Sequence, residues 1–297
     1  MSPPTYAIPP TFLGVERAAE GARFVVAGVP TDLAVSNRAG TRDGPHAIRR
    51  ASRMLVDGAH PVAWVEPAAM SLADIGNFAL PLGDIPGTLA AIEAQAAACA
   101  HLIALGGDHG ITLPLLRALR KRLGAPLGLL HFDAHCDTWP GGFGQDYGHG
   151  NPFFHAINEG LVDPRRMVSV GLRSPVQREV HDWTVGQGVA WLDAQSAIED
   201  GPRATAERVR AVLGAGPCYL SFDVDACDPA HCPGTGTPEP GGLTTAFCQG
   251  VLRRLGGLSF VGMDVVEVSP AFDVSEITAL WAATVAWEYL AVLAPRD

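Results

Sequence analysis

The sequence contains no C-x-x-C pair. Its six cysteines, Cys99, Cys136, Cys218, Cys227, Cys232 and Cys248, stand apart in a chain of 297 residues. That disfavours both a disulfide framework and a structural zinc knuckle. Basic charge is also scarce. Lys and Arg number 21 against 31 Asp and Glu, and the net charge of -10 argues against a nucleic-acid partner. Lys121 is the single lysine, and nothing functional follows from it. No basic segment followed by an apolar run opens the chain, so no signal peptide is expected. The longest apolar stretch, residues 277–293, is interrupted by Glu288 and two threonines and is short for a bilayer span. It reads as a buried terminal helix, so a cytoplasmic protein without a membrane partner is expected. Internal repeats, low-complexity tracts and linkers are absent as well.

What is present is apolar sequence in short, spaced runs. A hydrophobic content of 47% in a chain of this length suffices for a large core, and residues 1–297 read as a single domain. Residues 24–29, 101–105, 127–132, 167–170, 218–222 and 258–261 are continuously apolar, the pattern of strands covered on both faces. Residues 86–100, 111–123, 204–213, 244–255 and 275–293 between and after them have helical character. The alternation predicts an α/β fold, three-layer α/β/α with a central mainly parallel sheet. Gly and Pro collect in two loops, 139–150 and 229–242, each following a strand that ends in acidic residues. Ligands bind outside the carboxyl ends of strands in such sheets, which places the expected site there.

Three strand ends carry the candidate chemistry. Residues 127–132 lead into Asp133-Ala134-His135-Cys136-Asp137, residues 218–222 into Asp223-Val224-Asp225, and residues 101–105 into Gly106-Gly107-Asp108-His109. In extended backbone the side chains at i, i+2 and i+4 share a face, so Asp133, His135 and Asp137 are expected to converge, as are Asp223 and Asp225. So many carboxylates side by side would repel unless cations lay among them. Four carboxylates with two imidazoles suit Mn²⁺ first, with Ni²⁺, Co²⁺ or Fe²⁺ behind. Six donors are too many for one open catalytic ion and fit two bridged divalent ions, which would convert a bridging water to hydroxide. Each cluster alone has a plainer reading: a turn, a helix cap, or a core histidine. Their common position after parallel strands is what favours a metal site.

These segments also resemble the ureohydrolase (arginase/agmatinase) family. The match lies in Gly106-Gly107-Asp108-His109, Asp133-Ala134-His135-Cys136-Asp137, Ser221-Phe222-Asp223-Val224-Asp225 and the run from Asp228 to Pro238. It extends from Gly40-Thr41-Arg42 to Glu276-Ile277-Thr278-Ala279-Leu280, and Asp264-Val265-Val266-Glu267-Val268-Ser269-Pro270 looks most like bacterial agmatinases. The resemblance implies an arginase-like fold with two divalent ions per chain, Mn first and Ni as the alternative. One would be held by His109, Asp133, Asp137 and Asp223, the other by Asp133, His135, Asp223 and Asp225. It implies that His149 moves protons near the leaving group and that Glu267 grips a substrate guanidinium, a planar cation suited to a bidentate acceptor. The implied reaction is attack of a metal-bridging hydroxide on the guanidino carbon, with Asp137 passing on the proton and urea and an amine as products. Gly234-Thr235-Gly236-Thr237 looks like a phosphate loop but lacks the Walker lysine, and the resemblance makes it a rigid loop behind the metals.

Several residues depart from the family pattern. Gly110 follows the first motif, Asn151 follows the loop histidine, and Trp139 and Trp281 could reshape the outer pocket. Agmatine, the leading substrate, needs an acceptor for its distal ammonium, for which Asp146 or Glu239 is a candidate. A guanidino acid such as guanidinobutyrate would need a cation such as Arg173. A small alkylguanidine or a biguanide such as metformin would need an apolar wall, from Trp139 or Phe143, and guanidine itself is a further alternative. Two readings compete with the first. One is an amide hydrolase of deacetylase type, with a single Zn²⁺ and without the further ligands His109, Asp137 and Asp225. The other is a non-catalytic subunit of a hetero-oligomer. The resemblance itself implies a homo-oligomer, trimer or hexamer.

Overall fold

A computed structural model describes residues 10–17, 20–81, 83–142 and 144–294. Eight strands form one sheet: β1 (Phe24–Val29), β2 (Leu72–Asn77), β3 (Leu102–Gly106), β4 (Leu127–Phe132), β5 (Val162–Leu172), β6 (Ala190–Asp193), β7 (Pro217–Asp223) and β8 (Ser259–Val266). Their order is β2-β1-β3-β8-β7-β4-β5-β6, and every neighbouring pair is parallel. The described helices are α1 (Gly44–Ala51), α2 (Ile85–Ala96), α3 (Thr112–Leu123), α4 (Pro152–Asn158), α5 (Arg178–Gln187), α6 (Ala194–Leu213), α7 (Thr245–Leu252) and α8 (Ile277–Leu293). Side chains of α1, α6, α7 and α8 pack on one face of the sheet, and those of α2, α3 and α4 on the other. The expected three-layer α/β/α architecture is therefore observed. Covering both faces is what makes the central strands continuously apolar.

The elements absent from the apolar pattern are the two edge strands and three short helices. β2 and β6 sit at the ends of the sheet, where coverage is incomplete and half or more of each strand is not buried. An edge strand loses the continuous apolar signature for that reason. Two strands run further than the sequence suggests. β5 starts well before 167–170, at Val162, which pairs with Leu127; Asp163 to Arg166, which are not buried, form an irregularity between that pair and Leu129–Met167 and so leave no apolar signature. β8 continues to Val266, which puts Asp264 inside a strand and Glu267 immediately after it. α8 is apolar on all sides because it is buried between α1, α7 and the sheet. Its one acidic residue, Glu288, is fully buried and bound by Arg253, Gln249 and His60. Among the described residues no helix is long and apolar enough to cross a membrane.

The strand order decides the position of the chemistry. β3, β8, β7 and β4 are consecutive neighbours at the centre of the sheet, although far apart in the chain. Register aligns Leu105 with Val265, Asp223 with Val266, and Phe132 with Phe222. The residues just beyond these pairs are His109, Glu267, Asp225 and Asp133, at one carboxyl edge. Gly107 permits this packing: a side chain there would lie 2.3 Å from the carbonyl oxygen of Thr31.

Candidate metal centre and substrate cavity

The three acidic strand ends turn by the same device. Asp108 Oδ1 accepts from the Gly110 amide (3.0 Å), Asp133 Oδ1 from the His135 amide (2.6 Å) and Asp223 Oδ1 from the Asp225 amide (2.8 Å). Each carboxylate takes over an amide that the ladder no longer serves and bends the backbone tightly. The expectation of extended geometry is thus corrected. Asp133, His135 and Asp137 meet through a side-chain-closed turn followed by Asp137 in the left-handed region, φ 53°. For a non-glycine residue that conformation costs about 1 kcal/mol. Asp225 lies in a short 3₁₀ turn, Val224–Ala226, not in a strand. The same-face rule does hold for His131, which the sequence reading missed. Two residues before Asp133, its Nε2 lies 2.8 Å from Asp133 Oδ2, and its Nδ1 lies 3.0 Å from Ser169 Oγ.

The predicted donors come together in two groups that share Asp133. His109 Nδ1 lies 3.1 Å from Asp133 Oδ2, 2.9 Å from Asp137 Oδ2 and 3.3 Å from Asp223 Oδ2. His135 Nδ1 lies 3.2 Å from Asp133 Oδ1 and 3.1 Å from Asp225 Oδ2. The four carboxylates and His109 are buried and His135 is partly open. Asp223 reaches His109 with Oδ2, while its Oδ1 is engaged by the Asp225 amide.

The electrostatics call for positive charge. Burial disfavours a charged His109, yet Asp133, Asp137 and Asp223 outweigh it and hold the imidazole well above its ordinary pKa. Burial together with the charges of Asp225 and Asp133 pushes Asp223 well up. Burial and Asp133 raise Asp225 to about 6, with His135 working against them. Burial also opposes ionisation of Asp133, but His131 first, together with the adjoining imidazoles of His109 and His135, keeps it well below the usual carboxylate range.

Behind His109 the protein selects one tautomer. Its Nε2 lies 2.8 Å from Ser221 Oγ, and Ser221 Oγ donates to Asp264 Oδ1 at 2.7 Å. Asp264 Oδ2 is filled by Thr112 Oγ1 (2.8 Å) and Tyr219 OH (3.0 Å). With its own proton committed, Ser221 accepts from Nε2–H, which leaves the Nδ1 lone pair facing the carboxylates. That nitrogen is buried and makes no hydrogen bond among the described residues. Facing three anions, that nitrogen takes a positive partner, either a proton or a divalent metal, and the surrounding set of four carboxylates and two imidazoles fits the metal. Ser221→Ala should weaken ion loading beside His109 by about ten- to a hundred-fold. Metal counting on dialysed protein checks this, with the ion beside His135 retained.

His149 and Glu267 form a linked pair. Glu267, also in the left-handed region at φ 65°, accepts with Oε1 from the His109 amide (2.8 Å) and faces His149 Nδ1 (3.0 Å). Its Oε2 is buried and has no hydrogen-bond partner among the described residues. Burial lowers His149, but the Glu267 carboxylate prevails and lifts it to about 9. A cavity of about 400 Å³ opens beside these residues, lined by His135, Asp137, His149 and Asp223 at its inner end and by Ser36, Trp139, Gln145, Asn151, Ser174, Gln177 and Thr237 among others. Glu267 touches His149 and does not itself line this cavity.

Comparison with known proteins settles the family. The Arginase family model matches residues 22–291. The chain belongs to the arginase family. It is 42% identical over 283 residues to an agmatinase of Chromobacterium violaceum, covering 93% of this chain and 85% of that protein. It is 43% identical over 300 residues to a guanidinopropionase of Pseudomonas aeruginosa, covering 98% and 93%. The crystal structure of a hypothetical agmatinase from Burkholderia thailandensis superposes with TM-score 0.91 at 41% identity, covering 97% of this chain and 92% of that one. The chain is a metal-dependent ureohydrolase, and the resemblance drawn from the motifs is borne out.

Within this arginase-family site, several outer residues take roles other than those expected. Arg173 is no anion receptor. Its guanidinium donates to the carbonyls of Gly171, Asp225, Ala226, Cys227, Glu239 and Pro240, bracing the loop that carries Asp225. Trp281 is buried in α8 against Phe222 and lies outside the cavity. Trp139 does line it, with its indole N–H donating to Gln177 Oε1 at 2.6 Å. Asn151 ties down the histidine loop by accepting from the Gly148 amide and donating to the Asp146 carbonyl. Glu239 accepts from Ser174 Oγ and stands 4.0 Å from His135 Nε2, whereas Asp146 is exposed and off the lining. Phe143 lies outside the described residues. Thr237, at the end of the Gly-Thr-Gly-Thr run, donates to Asp225 Oδ2 (3.3 Å).

Proposed function

We propose that this single-domain ureohydrolase binds two divalent ions, Mn²⁺ in preference to Ni²⁺, and hydrolyses agmatine to putrescine and urea. His109, Asp133, Asp137 and Asp223 would hold one ion, and Asp133, His135, Asp223 and Asp225 the other. Bound there, the ions offset the carboxylate charge and make water nucleophilic at neutral pH. The remaining work falls to the chain. Asp137, on the cavity wall, takes up the proton released from water. Glu267 offers its unpartnered Oε2 to a guanidinium N–H, and His149, charged below about pH 9, supplies the proton that the departing amine needs.

One observation carries the choice of substrate tail. Among the described residues lining the cavity there is no Arg or Lys, and all the hydrogen-bonding capacity of nearby Arg173 is spent on carbonyls. A tail carboxylate would find no cation there. A tail ammonium would find the Trp139 ring and, by way of Ser174, the Glu239 carboxylate. The identity to a guanidinopropionase keeps guanidino acids as the second reading. A urea-release screen of agmatine, guanidinobutyrate, guanidinopropionate, arginine, guanidine and dimethylbiguanide, with the chain loaded with Mn²⁺ or with Ni²⁺, separates them. Agmatine should give the highest kcat/KM, whereas the highest value for a guanidino acid would reject the tail assignment. Urea from no guanidine would instead point to a non-catalytic subunit. We propose a cytoplasmic homo-oligomer, trimer or hexamer, to be checked by light scattering. α8 offers no support for that assembly, since its apolar surface is used within its own chain.

A further inference from the structure

We propose that Ser36, on the loop after β1, is a positioning residue for His149, its hydroxyl serving the Nε2 atom in both protonation states of the ring. The inference rests on the reading of His149 as the proton carrier. No motif in the sequence marks Ser36, and 113 residues separate it from His149.

The geometry is specific. Ser36 Oγ lies 2.7 Å from His149 Nε2, and the Ser36 amide donates to the same atom at 3.1 Å. Both residues line the cavity. The loop is fixed independently of the serine hydroxyl. The Ala34 carbonyl accepts from the His149 amide (3.1 Å), the Ala34 amide donates to Asp108 Oδ2 (3.4 Å), and Asp32 Oδ2 accepts from the Gly40 amide (3.0 Å). Removing the hydroxyl therefore leaves the loop's own attachments in place.

The two Ser36 groups act differently on the imidazole. An amide N–H can only donate, so it favours the neutral ring with a lone pair on Nε2 and the proton on Nδ1, directed at Glu267. Protonation makes both ring nitrogens donors. Nδ1–H keeps Glu267, and Nε2–H then faces an amide that cannot accept. The hydroxyl resolves the conflict, because it rotates to donate to the neutral ring and to accept from the charged one. His149 can then gain a proton, give it to a leaving amine at the cavity and recover its resting contact without changing rotamer. The charged groups acting on the ring are Glu267 after β8, Asp137 after β4 and Asp108 after β3, and all three favour the protonated form. Ser36 is the neutral partner that lets this form persist on the cavity side.

The test compares Ser36→Ala, Ser36→Thr and His149→Gln in metal-loaded enzyme, with urea release followed across pH. Ser36→Ala should lower kcat about ten-fold with KM within about two-fold, and move the alkaline limb of the kcat profile to lower pH by about one unit. The sign follows from losing the acceptor for Nε2–H, which destabilises the charged ring. Ser36→Thr keeps the hydroxyl and should restore kcat to within about three-fold and the limb to its original place. Wild-type kcat and an unmoved limb in Ser36→Ala, with His149→Gln inactive, would overturn the role of Ser36 and leave the His149 reading standing. Wild-type activity in His149→Gln would overturn that reading itself. A Ser36→Ala defect that Ser36→Thr fails to rescue would likewise overturn the hydroxyl's role.

Discussion

Asp133→Asn is expected to abolish metal loading and turnover together, with activity falling by about 10³-fold or more. Among the described residues Asp133 is the one carboxylate that meets both histidines, His109 with Oδ2 at 3.1 Å and His135 with Oδ1 at 3.2 Å. It is fully buried and held ionised against desolvation by three imidazoles. The amide has the same shape but lacks the charge. It would also turn an NH₂ group toward either His109 and His131 or His135, placing donors against ligand nitrogens or other donors. Either orientation undoes part of the cluster. The measurement is ion content per chain beside urea release, with circular dichroism to show that the fold persists. A folded Asp133→Asn protein that keeps two ions and full activity would remove Asp133 from the shared position.

Glu267→Gln should separate substrate capture from metal binding. Oε1 already serves the His109 amide and His149 Nδ1, a duty that an amide oxygen can keep. Oε2 is the free buried acceptor, and in the variant an NH₂ donor stands there facing guanidinium donors. A lost charge-assisted hydrogen bond predicts a fall in kcat/KM of about 10²-fold, chiefly through KM, with both ions retained. The variant also removes the carboxylate that lifts His149 to about 9. Because that shift is upward, the charged ring is present below about pH 9 and is lost as pH rises through that value. In Glu267→Gln the alkaline limb should therefore move toward the ordinary histidine range. An unchanged KM and an unmoved limb would reject both the guanidinium contact and the coupling to His149.

The two variants probe features of different legibility. Asp133, His135, Asp137, Asp223 and Asp225 stand in short motifs beside apolar runs, so residue type and spacing suffice to nominate them. Extended geometry does not bring Asp137 or Asp225 into place; aspartate-closed turns and a left-handed backbone do. His131 was within reach of the same-face rule, two residues before Asp133. Ser36 was not, because its partner lies in a distant loop and a lone serine carries no signal. Arg173 illustrates the opposite case. By type it suited a carboxylate receptor, but carbonyls from two loops use its guanidinium instead.

By itself the sequence determined the central strands, most of the longer helices and the ligand types, since those follow from local apolar pattern and side-chain chemistry. Edge strands and short helices escaped because partial coverage leaves a weaker pattern. Only the tertiary structure decided that β3, β8, β7 and β4 stand side by side. Strand order comes from how helices pack across the faces of the sheet, a cooperative choice that no single segment encodes. That order sets His109, Glu267, Asp225 and Asp133 along one edge, and it turns scattered polar residues into a centre whose charge only cations can balance.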